Sequence, residues 1–280
     1  MFKTDFITEE YVRTVLKERS KDIHKGDCGR VLVVAGSKGM AGAAVLCGKA
    51  AFRAGAGLVK VAIDPGLYQI IQTALPEATC VPRSLSRLNL SEFHAIAIGP
   101  GLGSYVENAA IIGHILSEFE KTVVLDADGL NAISGEGVTD SLKNARANVI
   151  ITPHMGEARR LIPNFSEPDR LRVAEALIDA TGAIVVLKGA ETVVASGRDG
   201  YFINTTGNPG MATGGSGDVL TGIIAAISGQ IKSPWDSAKA GVFIHGLAGD
   251  IAAAHVGEYG VTAMDIAEAT AFAIKKIIGK

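Results

Sequence analysis

From Arg30 onward the chain alternates short β-branched runs with longer stretches rich in alanine and leucine. The short runs predict strands over residues 31–35, 59–63, 95–98, 123–126, 149–152 and 184–187. Several are apolar at every position, the pattern of parallel strands covered on both faces. Two further runs, 192–195 and 201–204, flank Gly197-Arg198-Asp199-Gly200 and predict a hairpin. The longer stretches predict helices over 43–54, 68–74, 106–119, 167–181, 219–228, 235–254 and 263–278. Ser233-Pro234 reads as a helix start, and Thr262 with Asp265 reads as a capping box carrying Asp in place of Glu. Strand and helix in alternation mean βαβ units, hence a mainly parallel sheet between two helical layers. With no internal repeat or linker, residues 1–280 are expected to form one domain, in which the charged residues 1–29 make an N-terminal arm or surface helix.

In such sheets ligands bind beyond the carboxyl ends of the strands. The residues following the predicted strands are rich in glycine and polar groups. They are 36–43, Gly99-Pro100-Gly101-Leu102-Gly103, Asp126-Ala127-Asp128-Gly129-Leu130-Asn131, Thr152-Pro153-His154-Met155-Gly156-Glu157 and Lys188-Gly189-Ala190-Glu191-Thr192. The densest stretch runs from Asn208 to Gly222: three glycines within four residues, Gly214, Gly215 and Gly217, lead through Asp218 into an apolar helix. A glycine loop entering a helix presents free amides and the positive end of a dipole, which suits a phosphate. Two other phosphate signatures are absent. Residues 43–50 fail the Walker A pattern at its first and last positions, and no Gly-x-Gly-x-x-Gly follows the first strand.

Composition narrows the function classes. The 280 residues carry 27 basic and 29 acidic side chains, a net charge of −2, so nucleic acid and anionic membranes have no electrostatic footprint here. Aromatic residues make up only 5%, too few for a base-stacking platform. The 48% hydrophobic content supports a large core. Cys28, Cys47 and Cys80 are odd in number and lack metal spacing, as expected of buried thiols in a reducing compartment. With neither a signal-peptide core nor a run of about 20 apolar residues, the expectation is a cytoplasmic protein.

The polar candidates each carry two readings. Asp218 is either a helix cap complementing the dipole or a catalytic base beside a bound phosphoryl group. Glu157 either caps a short helix or helps hold a metal through water. Lys188 is a phosphate or ribose contact, or else a strand-end lysine that snorkels. Asp126 and Asp128 share a face if their strand continues that far, and either orient Asn131, bind metal water or cap the loop. The histidines show no ligand spacing, so no zinc site is assigned.

Taken together, residues 207–218, 152–157 and 126–131 and the segment from Gly39 to Gly57 resemble the ADP/ATP-dependent NAD(P)H-hydrate dehydratases of the ribokinase-like superfamily. The likeness spans roughly residues 25–275. It implies a three-layer α/β/α ribokinase-like fold with a mainly parallel central sheet and no separate lid domain. The implied activity is repair: ADP or ATP phosphorylates the ring hydroxyl of the S-epimer of hydrated NADH or NADPH, and loss of phosphate restores the cofactor. Asp218 would be the base. The hydrated dinucleotide would lie against Ala41, Gly42, Ala43, Gly103, His154 and Asp218. The adenine nucleotide would lie against Lys188, Gly189, Ala190, Glu191, Thr192, Gly214, Gly215 and Gly217, with Asn131 and Glu157 in support. Mg²⁺ is implied without identified protein ligands, as are a homotetramer and, because residues 1–30 are too short to hold one, an epimerase on a separate chain. Met155 stands where the family carries proline, which implies a looser turn around His154. A kinase for small thiazole- or pyrimidine-type alcohols and a non-catalytic adenylate sensor are the competing readings; regenerated nicotinamide absorbance separates both from the dehydratase.

Overall fold

The computed structural model describes residues 4–16, 18–84, 88–134 and 138–279, with side chains of 138–140 excepted. Residues 1–3 and 17 of the expected arm lie outside that description. The strands in chain order are β1 (Thr4–Phe6), β2 (Arg30–Val34), β3 (Leu58–Ile63), β4 (Thr79–Pro82), β5 (Ala95–Ile98), β6 (Thr122–Leu125), β7 (Asn148–Ile151), β8 (Ile184–Leu187), β9 (Val193–Ser196) and β10 (Gly200–Ile203). They form one sheet in the order β1-β10-β9-β8-β7-β6-β5-β2-β3-β4. The pairs around β9 are antiparallel, with Val186 opposite Val194 and Tyr201 opposite Ala195. The rest are parallel. From β2 the chain moves outward through β3 and β4, then returns to the other side of β2 as β5. The strand order therefore reverses between β2 and β5, where a ligand crevice is expected.

The helices are α1 (Glu9–Val15), α2 (Ala41–Arg53), α3 (Tyr68–Ala74), α4 (Glu107–Glu118), α5 (Ala127–Ala132), α6 (Val138–Lys143), α7 (Met155–Leu161), α8 (Arg170–Thr181), α9 (Ser216–Gln230), α10 (Pro234–Val256) and α11 (Ala263–Ile278). Successive strand residues serve opposite faces. Val31, Val33, Ala97, Val124 and Val186 pack with α2, α9, α10 and α11. Leu32, Val34, Ile98, Val123 and Leu187 pack with α4 and α8 on the other face. That division explains strands without a polar face. Helix α9 is buried along most of its length, from Val219 through Ser228, because it is sandwiched between the sheet and other helices.

The expected elements are present with shifted ends. Helix α9 starts at Ser216, three residues earlier than its apolar run, which puts Asp218 inside its first turn. Strand β6 stops at Leu125, so Asp126 and Asp128 do not share a strand face. The pattern did not predict β1, β4, α5 or α6. Each spans six residues or fewer, and β4 ends in Pro82, which only an edge strand accommodates. The N-terminal arm is integrated into the fold. Strand β1 pairs with β10, and the Tyr11, Phe202 and Trp235 rings surround the buried Lys239 ammonium at 4.1, 4.4 and 4.8 Å. Among the described residues no helix is long and apolar enough to cross a membrane.

Helices α2 and α9 touch backbone to backbone at Gly222. A Cβ added there would stand 2.1 Å from the Cys47 carbonyl oxygen and 3.0 Å from Ala50 Cβ. Backbone cannot swing aside, so Gly222→Ala must separate two buried helices. We expect the urea midpoint to fall by the equivalent of about 1–3 kcal/mol, the usual cost of overpacking; an unchanged midpoint contradicts this packing.

Candidate active site

Helix α9 enters through a turn that only glycine suits. Gly215, its N-cap, has φ of 91°, and a Cβ there would meet Leu46 Cδ1 at 2.4 Å. No side chain caps this terminus; the Ser216 N–H donates to the Thr213 carbonyl, and a helix start without a side-chain cap suits an anion. The preceding loop is anchored from α10: Asp250 accepts from the Gly207 N–H and from Asn208 Nδ2, both at 3.0 Å. Asn208 in turn caps the Pro209–Met211 turn by accepting from Gly210 N–H. His245, also on α10, places Nε2 2.9 Å from the Ser216 carbonyl oxygen. Burial drives its pKa down to about 4, so the ring is neutral and Nε2–H donates.

Beneath the turn lies an ion pair. Asp126 follows β6, is 1% exposed, and accepts from Lys188 Nζ at 2.6 Å through Oδ1. Its Oδ2 accepts from Thr221 Oγ1 at 2.7 Å, one turn along α9 from Asp218. Lys188 follows β8, and its Nζ lies 3.3 Å from where a Gly217 Cβ would stand. The turn therefore lies close over the ammonium, so that a Cβ at 217 would press on it by a few tenths of an ångström. Glu157 adds a second carboxylate 3.6 Å from Lys188 Nζ. Burial alone would weaken the ammonium, but Asp126, Glu157 and Asp218 outweigh it and its pKa rises. Lys188 is a paired, permanently charged strand-end residue, not a snorkelling one.

Asp218, at the third position of α9, is partly buried, and its pKa is pushed up to about 7. Desolvation is the main cause, followed by the negative charge of Asp126; Lys188 opposes them and Asp128 adds to them. Such a carboxylate can hold or release a proton near neutrality.

The turn after β7 carries a capping box beside Met155. His154 caps α7: its Nδ1 accepts from the N–H groups of Gly156 and Glu157 at 2.9 and 3.3 Å, while Glu157 Oε2 accepts the His154 N–H at 2.8 Å. The other ring nitrogen, Nε2, lies 3.5 Å from Glu157 Oε1, on a half-exposed side chain. Glu157 is the cap that one of its two readings required.

Across the crevice, Ala41, Gly42 and Ala43 form the first turn of α2, which again has no side-chain cap. Gly103 donates its N–H to Asp128 Oδ2 at 2.9 Å, and its carbonyl accepts from Asn108 Nδ2. Asp128 and Asp126 thus face different partners. Asn131 bridges Asp128 at 3.4 Å and Arg160 at 2.9 Å, an outer link. Gly189, Ala190 and Glu191 are exposed and Thr192 Oγ1 closes their turn on the Gly189 carbonyl, leaving an open rim beside Lys188. A cavity of about 530 Å³ lies beyond Gly103 and away from Asp218. No group of three metal-ligating side chains occurs among the described residues.

The structure thus brings Lys188, Gly215, Gly217, Asp218, His154 and Glu157 to one end of the sheet. Thr221, His245 and Asp250 were not anticipated. Thr221 sits three residues after Asp218 on a helix and so shares its face, a usable signal; His245 and Asp250 lie on α10 with no spacing that links them to the loop.

Family comparison places this geometry. A model of the carbohydrate-kinase-like family described as NAD(P)H-hydrate dehydratase matches residues 31–271. The chain is 37% identical over 292 residues to the bifunctional NAD(P)H-hydrate repair enzyme Nnr of Moorella thermoacetica, covering 99% of this chain and 55% of that protein. It therefore spans about half the length of such curated relatives. It is 37% identical to the ADP-dependent (S)-NAD(P)H-hydrate dehydratase of Neisseria meningitidis, covering 85% and 81% of the two chains. Among solved structures, the ADP/ATP-dependent NAD(P)H-hydrate dehydratase of Bacillus subtilis, co-crystallized with ATP/Mg²⁺, superposes with a TM-score of 0.88 at 30% identity, covering 99% and 100% of the two chains. The mainly parallel sheet with helices on both faces is the ribokinase-like fold of these proteins.

The raised pKa of Asp218 has a stability consequence. Between about pH 4 and 7 the folded state holds a proton that the unfolded state releases, so this residue's contribution declines as pH rises through that window and is flat above it. Asp218→Asn removes the penalty. We expect the variant to be more stable than the parent at pH 8 by about 1–4 kcal/mol, with the gap closing toward pH 4 in urea titrations. A gap independent of pH would contradict the assignment.

Proposed function

The chain belongs to the NAD(P)H-hydrate dehydratase family, and from that premise we propose that it dehydrates the S-epimer of hydrated NADH or NADPH at the expense of ADP or ATP. The observation that carries the reading is Asp218, a carboxylate of pKa about 7 held in the first turn of a helix whose amides await an anion. Phosphoryl transfer relies on positioning and on charge stabilisation. The terminal phosphoryl group sits over the amides of Gly214, Gly215 and Gly217, with Lys188 supplying positive charge from below. Gly189, Ala190, Glu191 and Thr192 form the rim for the rest of the adenine nucleotide.

The hydrated ring enters from the His154 side, with Gly103 and the Ala41–Ala43 turn along the dinucleotide. Asp218 takes the proton of the ring hydroxyl as its oxygen attacks phosphorus and the bond to the departing nucleotide breaks. Phosphate, unlike hydroxide, is a good leaving group. The ring nitrogen's lone pair expels it, and loss of a proton from the adjacent carbon restores the double bond. The products are the reduced dinucleotide, phosphate and AMP or ADP. Mg²⁺ fits a site with few protein ligands, since it commonly keeps several waters and binds through phosphates and one or two carboxylates. Glu157 and Asp218 are the carboxylates able to receive its waters, and when bound it would neutralise phosphate charge. A small-alcohol kinase would stop at the phosphorylated intermediate, so product analysis decides between them.

Two outcomes test the roles. Asp218→Asn should lower kcat by about 10²–10⁴-fold with nucleotide KM held, and the parental rate should rise with pH through about 7 as the base ionises. Turnover within a few-fold of the parent would refute the base. His154→Ala should raise KM for the hydrate by about tenfold, the loss of one contact worth about 1.4 kcal/mol. An effect confined to the nucleotide KM would place the two substrates the other way round.

A further inference from the structure

We propose that the cavity beyond Gly103 receives the adenosine half of the hydrated dinucleotide, with Tyr105 and Arg83 binding its base; this rests on the dehydratase reading. The cavity, about 530 Å³, is lined by Ser37, Lys38, Asp64, Arg83, Tyr105 and Asn108 among others. These residues follow β2, β3, β4 and β5, so it opens at the carboxyl edge just past the point where strand order reverses. Its size is that of a small-ligand site.

Its walls hold two polar atoms with no partner among the described residues, Ser37 Oγ and Asn108 Oδ1, in side chains only 3% and 1% exposed. Buried polar atoms are nearly always bonded, so a pair of exceptions in one cavity calls for a ligand. The Asn108 amide donates to the Gly103 carbonyl and so ties the start of α4 to the loop at the cavity mouth. Arg83 is fixed by donating to the Gly36 carbonyl at 3.0 Å, and its guanidinium lies 5.7 Å from the centre of the half-exposed Tyr105 ring. A base stacks on either plane. Lys38 and Arg83 are offset by Asp64 and Glu107 in the same lining, a balance suited to a nucleoside more than to a bare phosphate.

Position agrees with chemistry. Gly103 keeps the mouth open, because a Cβ there would meet the Tyr105 ring at 2.8 Å and Ser37 Oγ at 3.1 Å. From Asp126, after β6, the cavity lies two to three strands away, about 10–15 Å. The uncapped α2 terminus at Ala41–Ala43 sits between, where a pyrophosphate would pass. The two ends of one dinucleotide thus meet two separate sites.

The test compares the parent with Tyr105→Ala and Arg83→Gln on three probes: hydrated NADH, hydrated NADPH and hydrated reduced nicotinamide mononucleotide, which lacks the adenylate. We expect each variant to raise KM for both dinucleotide hydrates by about tenfold, with kcat, ADP KM and the mononucleotide KM unchanged. Dinucleotide KM values within twofold of the parent's overturn the proposal. So does an equal rise for the mononucleotide, which marks general damage, and so does a rise for hydrated NADPH alone, which assigns the cavity to the 2′-phosphate. A parent that leaves hydrated NADH unconverted removes the dehydratase reading and this proposal with it, whereas an active parent with unaffected variants removes this proposal only.

Discussion

The Lys188–Asp126 ion pair is the interaction on which the rest of the site depends. Its atoms join three elements that are distant in sequence: the end of β6, the end of β8 and, through Thr221, the body of α9. Burying two charges is costly, and a buried pair is retained only with good geometry and further hydrogen bonds. Here Asp126 uses one oxygen for Lys188 and the other for Thr221, while Glu157 supplies the ammonium with a second carboxylate. Removing either partner would strand a charge, at about 3–5 kcal/mol. The arrangement does more than hold helix to sheet. It sets a fixed positive charge under the glycine turn and a fixed negative charge beside Asp218, and together with burial these determine how strongly that carboxylate holds a proton.

Two uncapped helix termini, at Gly215 and at Met40, face the same edge of the sheet. On the proposed reading, the reacting group would stand near the first and the non-reacting bulk of a dinucleotide near the second. The fold separates them by its strand order: β2 and β5 flank the reversal, and the loops leaving them form the crevice. Gly103 links both halves, hydrogen-bonded to Asp128 on one side and crowded by Ser37 and Tyr105 on the other.

Much of this was legible in the chain. Strands covered on both faces have no polar positions, so their runs stand out, and every loop after a central strand carries the polar residues expected at a carboxyl edge. Short edge elements were not legible, because three residues at Thr4 or four ending in Pro82 carry too little periodicity. Nor was the start of α9: Ser216, Gly217 and Asp218 lack apolar side chains, and the helix is extended over them by a glycine in the left-handed region. The partners of Asp126 were hidden for a different reason. Lys188 and Thr221 lie 62 and 95 residues away, and only tertiary folding brings them within reach. At the His154 turn, where Met155 stands in place of the expected proline, a capping box joins His154 and Glu157.

The seam between β1 and β10 joins segments far apart in the sequence. Thr4 lies opposite Tyr201, so β1 is paired across nearly two hundred residues of sequence. Contacts of such long sequence separation are slow to form. The parallel centre, β2 through β8, is held by pairings of shorter sequence separation, whereas Thr4–Phe6 reaches across the chain to the rim of β10. Without the N-terminal segment that rim is an open template for another chain, and Lys239 has no Tyr11 ring above it. Three residues at one end of the chain thereby act as the guard of a border built at the other.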